Sequence, residues 1–211
     1  LDHPAAVIVE AVQGEGGINA ASAEWLTRLS QLCRTHGIKL IWDDIQAGCG
    51  RTGTFFSFDG LDVEPDFVCL SKSLSGYGLP LSIVLVAPEC DAFAPGEHNG
   101  TFRGNNHAFV TATAALETFW RDDAFAADVR EKAAHLAQRL SAIAAKVPGL
   151  RPGLRGRGLM QGVALAGAGT AEAVAAAAFE RGLIMETSGA HDEVAKFLPP
   201  LTLTRDELDR G

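Results

Sequence analysis

Short apolar runs of strand length alternate along the chain with longer stretches of helical spacing. Residues 5–12 (AAVIVEAV), rich in β-branched side chains, predict a buried strand that opens into a loop at 13–17 (QGEGG). Ser22 is placed to cap a helix over 24–36, where Trp25, Leu29 and Leu32 recur at helical spacing and Gly37 supplies the stop. A second strand is predicted at 38–42, with Asp43 and Asp44 at its end. Residues 54–67 read as mostly loop, with Phe55, Phe56 and Phe58 filling a pocket. Further strands follow at 67–70, ending at Ser71-Lys72, and at 81–87. Helices are predicted over 107–120 and 122–146. The proline- and glycine-bearing stretch 147–158 is then a boundary. Beyond it come a strand at 159–165, a helix at 170–181 capped by Gly182, a strand at 183–185, and a loop at 194–203 passing into a short strand.

Strand, helix, strand is the grammar of a mostly parallel sheet covered by helices, so the expected class is α/β. Residues 1–121 form the expected larger unit, and the helix from 122 joins it to a small α/β lobe ending at 211. Ligands in such sheets bind beyond the C-terminal ends of the strands. Glu15, Asp43 and Lys72 all fall there.

Composition narrows the class further. The 211 residues are 47% hydrophobic and 21% charged, enough apolar surface for a real core and against disorder. The net charge of -8 carries no basic patch for nucleic acid. No apolar run reaches the roughly 20 residues of a membrane span. Cys33, Cys49, Cys69 and Cys90 form no CxxC pair and read as reduced thiols of a cytoplasmic protein. The ends of the sequence suggest part of a longer protein.

Taken residue by residue, the chemistry stays open. Lys72 is either a surface lysine that happens to follow a strand or a desolvated amine able to attack a carbonyl. Asp43 and Asp44 are turn caps, or one of them is an ionised carboxylate facing a cationic ring nitrogen. A metal reading of the pair lacks a histidine at ligand spacing. The loop at 100–106 offers Thr101 and Arg103 to a phosphate or carboxylate, or is a solvated connection. The glycine clusters match neither a dinucleotide fingerprint nor a P-loop.

Four segments in order change this picture: VEAVQGEGG (9–17), WDDIQAGCGRTG (42–53), SKSLSGYGLP (71–80) and GTFRGNNHAF (100–109). Together they resemble the class III, ornithine/GABA-type aminotransferases over nearly the whole chain. The resemblance implies a partial fold type I architecture and the cofactor pyridoxal 5'-phosphate (PLP). It implies Lys72 as the Schiff-base lysine and proton carrier, Asp43 at the pyridine nitrogen and Gln46 at the phenolic oxygen. Thr101 would contact the phosphate of a neighbouring subunit's cofactor, making the protein a homodimer or higher homo-oligomer. Glu15 would be a gating carboxylate, with Glu10 in support.

Particular phrases, among them DDIQAGCGRTG and KFLPPLTLT, resemble the branch that aminates L-aspartate 4-semialdehyde with L-glutamate for ectoine biosynthesis. Rivals are other ω-aminotransferases of ornithine, acetylornithine or GABA type, and a non-catalytic relative. Two departures stand out. Lys196 occupies the place where many relatives carry a carboxylate-binding arginine, leaving that task to Lys196, to Arg103 or to another residue. The family's phosphate-binding turn and ring-stacking aromatic have no counterpart among these residues.

Overall fold

The structure is a computed structural model and describes residues 3–101 and 103–211. Leu1, Asp2 and Phe102, the last within the polar loop noted above, lie outside the described residues.

Two four-stranded sheets organise the chain. In the first, β1 (Ala6–Val9), β2 (Lys39–Asp43) and β3 (Phe67–Leu70) run parallel, and β4 (Ile83–Val86) lies antiparallel on β3. The crossover from β1 to β2 is α1 (Ala23–His36), capped at its start by the Ser22 side chain and ended by Gly37 in the left-handed region. The buried face of α1 differs from the expected stripe. Leu26, Ser30 and Cys33 are buried, whereas Trp25 and Leu32 are about half exposed. Both triplets have helical spacing. Leu29 of the expected stripe still packs against the core, and the buried Ser30 hydroxyl accepts from the Glu64 amide at 3.3 Å. Leu26 and Cys33 then meet Leu40, Trp42, Val68 and Leu70 in one core.

The second sheet is antiparallel, in the order β5 (Gly153–Arg157), β6 (Met160–Ala164), β8 (Val194–Phe197) and β7 (Glu186–Ser188). In chain order, α2 (Asn106–Phe119) and α3 (Ala124–Ala144) follow β4 and precede the second sheet. The second lobe adds α4 (Thr170–Phe179) and α5 (Arg205–Arg210). Val129, Leu136 and Leu140 of α3 pack with Leu159 and Leu208 into the core of that lobe.

Several expectations are corrected here. The stretch read as a boundary contains β5, whose glycines and arginines hide a strand held by pairing along β6. The strand expected at 183–185 begins at Glu186, because pairing with β8 starts there and leaves Ile184 exposed. Val194–Phe197 is strand first, and the loop follows at Pro199-Pro200. No helix among the described residues is long and apolar enough to cross a membrane. All four cysteines are free thiols.

Candidate active site

Asp43 and Asp44 end β2 and separate into two roles. Asp44 is 1% exposed and accepts from the Ser57 amide at 2.9 Å and from the Ser57 hydroxyl. Trp42 Nε1 donates to that same hydroxyl at 2.7 Å. Burial pushes the Asp44 carboxyl above its ordinary range, with the Ser57 bonds opposing. Asp44 is therefore an internal fastener. Asp43 is only partly buried; its Oδ1 accepts from the Ile45 amide at 3.1 Å. Asp43 lines a cavity of about 710 Å³ shared with Glu10, Gln13 and Trp25. Glu10 Oε2 accepts from the Gly14 amide at 2.8 Å and so steadies the loop after β1.

Lys72 follows β3, which runs parallel beside β2 with Asp43 level with Cys69. It opens a 3₁₀ turn at Lys72–Ser75, with a backbone φ of +49°. A lysine in the left-handed region costs about 1–3 kcal/mol, and such strain gathers at functional sites. The Ser71 hydroxyl, donating to the Leu81 carbonyl at 2.8 Å, pins the turn. Among the described residues Lys72 is exposed, where its strand-end context suggested partial desolvation. It lines one cavity of about 600 Å³ with Phe55 and Trp120, and a second of about 250 Å³. Asp43 lines neither of these and opens instead on the cavity it shares with Glu10, while its register with Cys69 puts it level with a residue three positions before Lys72 on the adjacent strand.

The smaller cavity holds the polar centre of the molecule. Its wall includes Glu15, Gln46, Arg51, Lys72, Glu186 and Lys196. Gln46 Nε2 donates to Glu15 Oε1 at 2.9 Å, and Lys196 Nζ donates to the same oxygen at 3.0 Å. Glu186 Oε2 meets Lys196 Nζ from the other side, also at 3.0 Å. The Gln46 amide and then Lys196 hold the Glu15 carboxyl below its usual range. Burial alone would lower Lys196, but Glu186 and Glu15 reverse it and raise the ammonium above its ordinary value. Gly14 makes room for this chain of bonds: a Cβ there would lie 2.5 Å from Gln46 Nε2.

The structure brings Gln46, Glu15, Lys72 and Lys196 together on one cavity wall. Thr101 and Arg103 stand apart and exposed; Arg103 donates to the His98 carbonyl within its own loop. Two residues of the cavity were not anticipated. Arg51, in the CGRTG segment, bonds the carbonyls of Leu159 at 3.2 Å and Pro199 at 2.5 Å, and burial pulls its pKa down to about 10. Glu186 has no motif around it, and only its pairing opposite Lys196 reveals it.

Residues 2–211 match the family model described as aminotransferase class-III. The chain belongs to the class III aminotransferases. Members of this family are PLP-dependent. The chain is 60% identical to a diaminobutyrate–2-oxoglutarate transaminase of Nocardia farcinica, over all of this chain and 48% of that protein. It is 56% identical to the protein of that name from Vibrio cholerae, again over all of this chain and 51% of the relative. The chain thus spans about half the length of the curated relatives it matches. Among solved structures, the N-acetylornithine aminotransferase of Stenotrophomonas maltophilia aligns with a TM-score of 0.85 at 36% identity. That match covers 98% of this chain and 54% of the other. An ornithine aminotransferase of Toxoplasma gondii aligns at 0.88 and 34%, covering 97% of this chain and 48% of the other. That protein was crystallised with partial occupancy of PLP at its active site. Both alignments support the partial fold type I architecture of a class III aminotransferase.

Proposed function

We propose that the full-length protein moves an amino group from L-glutamate to L-aspartate 4-semialdehyde, giving 2-oxoglutarate and L-2,4-diaminobutyrate. The observation that carries this is the Gln46–Glu15–Lys196–Glu186 chain on the wall of a cavity that Lys72 also lines. Naming of the 56–60% identical relatives supports the substrate pair. The donor set fits PLP: an amine for its aldehyde, a carboxylate for its pyridine nitrogen and an amide for its phenolic oxygen. Lys72, Asp43 and Gln46 would hold the group in that order, and Thr101 would reach the phosphate of a neighbouring subunit's cofactor in a homodimer. When bound, PLP supplies the electron sink for the substrate carbon.

The chain's own residues do the rest. Lys72 carries the proton to and from the substrate carbon. Lys196, or Arg103 from its loop, binds the substrate carboxylate. Glu15 covers Lys196 when the reacting amine is terminal and releases it when the amine is α to a carboxylate. Lysine at 196 does this as a point charge with three rotatable donors, where an arginine would offer a planar fork. We further propose the division at residues 121 and 122 as the boundary between the cofactor lobe and the small lobe, and the cytoplasm as the site of action.

Replacing Lys72 with alanine in the full-length protein is expected to abolish both the cofactor's lysine-bound absorbance and turnover. Unchanged spectra and turnover would refute the assignment. Rates with ornithine, acetylornithine and 4-aminobutyrate, measured beside diaminobutyrate, test the substrate pair.

A further inference from the structure

Lys196 sits between two carboxylates that are held in different ways. Its side chain is 2% exposed, and both Glu15 and Glu186 lie 3.0 Å from Nζ. Glu15 stands on the turn after β1, and its Oε1 also accepts from Gln46 Nε2 at 2.9 Å. It therefore keeps a hydrogen bond when it leaves Lys196. Glu186 lies directly across from Lys196 in the antiparallel register of β7 and β8, so both side chains leave the same face of the sheet. Among the described residues, Lys196 is the only cation within 4.0 Å of Glu186. One carboxylate thus has a second partner to fall back on, and the other is fixed across a strand pair.

We propose that Glu186 is the anchor of Lys196: it holds the ammonium still while Glu15 moves away, so that the α-carboxylate of glutamate meets a stationary charge. This rests on the amine-transfer function proposed above and concerns its glutamate half, in which Glu15 releases Lys196. The need for an anchor comes from lysine itself. Its ammonium ends a flexible four-carbon stem and has no planar fork to fix its direction. Held by Glu15 alone, it would follow that carboxylate outward, because an enclosed ammonium left without a partner is costly. With Glu186 in place, one N–H stays on the sheet, and the N–H that Glu15 vacates is free for the incoming carboxylate. Charge balance leaves Glu186 no other part in this exchange. The substrate carboxylate replaces a glutamate carboxylate on the same ammonium, so the negative charge of Glu186 opposes both alike. What Glu186 contributes is position. In the diaminobutyrate half, Glu15 stays on Lys196 and clamps it from its own side, so the anchor is dispensable there.

The test follows the two half-reactions separately, by single-turnover absorbance of the full-length holoenzyme with L-glutamate and with L-2,4-diaminobutyrate. A second readout needs no turnover: calorimetric binding of 2-oxoglutarate, which carries both carboxylates of glutamate and no amine to transfer. Glu186→Ala should weaken 2-oxoglutarate binding about tenfold or more and raise the half-saturating glutamate concentration to match, with the diaminobutyrate half changed less than about twofold. Glu186→Gln, which keeps a neutral acceptor at the same reach, should fall between, and it carries the comparison should the alanine variant not fold. Unchanged glutamate and 2-oxoglutarate affinities overturn the proposal. So does an equal loss in both halves, which marks a merely structural residue. Absence of both half-reactions in the unaltered protein would instead sink the proposed function, and this inference with it.

Discussion

The ammonium of Lys196 lies between Glu15 and Glu186, each at 3.0 Å. The pH dependence of that cluster follows from the direction of each shift. The folded pKa of Glu15 lies below its usual 4.5, so its contribution to stability is present above that value and is lost as pH falls through the lower folded value. The folded pKa of Lys196 lies above 10.5, so its contribution is complete below 10.5 and fades only as pH rises past it. The pair therefore stays ionised across the neutral range. In the full-length protein, Glu15→Gln should lower Tm by an amount that is constant between pH 6 and 8 on the order of these windows, and that shrinks below about pH 4.5. A difference that grew on acidification would contradict the ion pair. At this scale the motifs point to Glu15, Gln46, Lys72 and Lys196, which line one cavity. The resemblance singles out Asp43, but composition and spacing alone do not separate it from Asp44, which lies in the opposite environment in space because successive strand residues point to opposite faces.

The β5–β6 hairpin shows why element boundaries in the second lobe resist reading. GLRGR lacks the alternation of a strand, yet all five of its residues pair along β6. Its turn packs directly on the CGRTG loop of the first lobe. Gly158 has a φ of +64°, and a Cβ there would stand 2.5 Å from Thr52 Cα. Gly158→Ala should therefore cost about 2–3 kcal/mol, from the left-handed backbone and the forced displacement together. Urea denaturation of the full-length protein measures this, and a loss below about 0.5 kcal/mol would show that the turn has room. By contrast, α1 is legible at both ends because its stop signals are local: Ser22 caps it and Gly37 ends it. Its buried face is not legible, because only the packed sheet decides between two stripes of equal spacing.

Across the whole molecule, the loop that carries Glu15 is tied to the far lobe. The Ser188 hydroxyl accepts from the Gly17 amide at 3.0 Å and donates to the Gly14 carbonyl at 2.8 Å, while the Gly189 amide donates to the Glu15 carbonyl at 3.0 Å. Arg155 adds a bond to the Gly17 carbonyl at 2.9 Å, and Arg51 reaches back to Leu159 and Pro199. Glu15 meets Lys196 only because these bonds hold two distant stretches together. Ser188→Ala strands two buried backbone groups and should cost about 1–3 kcal/mol. It should also raise KM for glutamate severalfold while changing kcat less, as steady-state kinetics on the full-length protein will show. An unaltered KM would mean that the loop keeps its place without the bracket. From the sequence alone come the α/β alternation, the strand-end positions of Glu15, Asp43 and Lys72, and the family, because periodicity and contiguous motifs are local properties of the chain. Tertiary structure alone decides that Glu186 faces Lys196, that Arg51 lines their cavity and that Asp44 is sealed in the core. Each of these depends on which residues, 10 to 148 positions apart, are brought within hydrogen-bonding or pairing distance, and no local pattern encodes that.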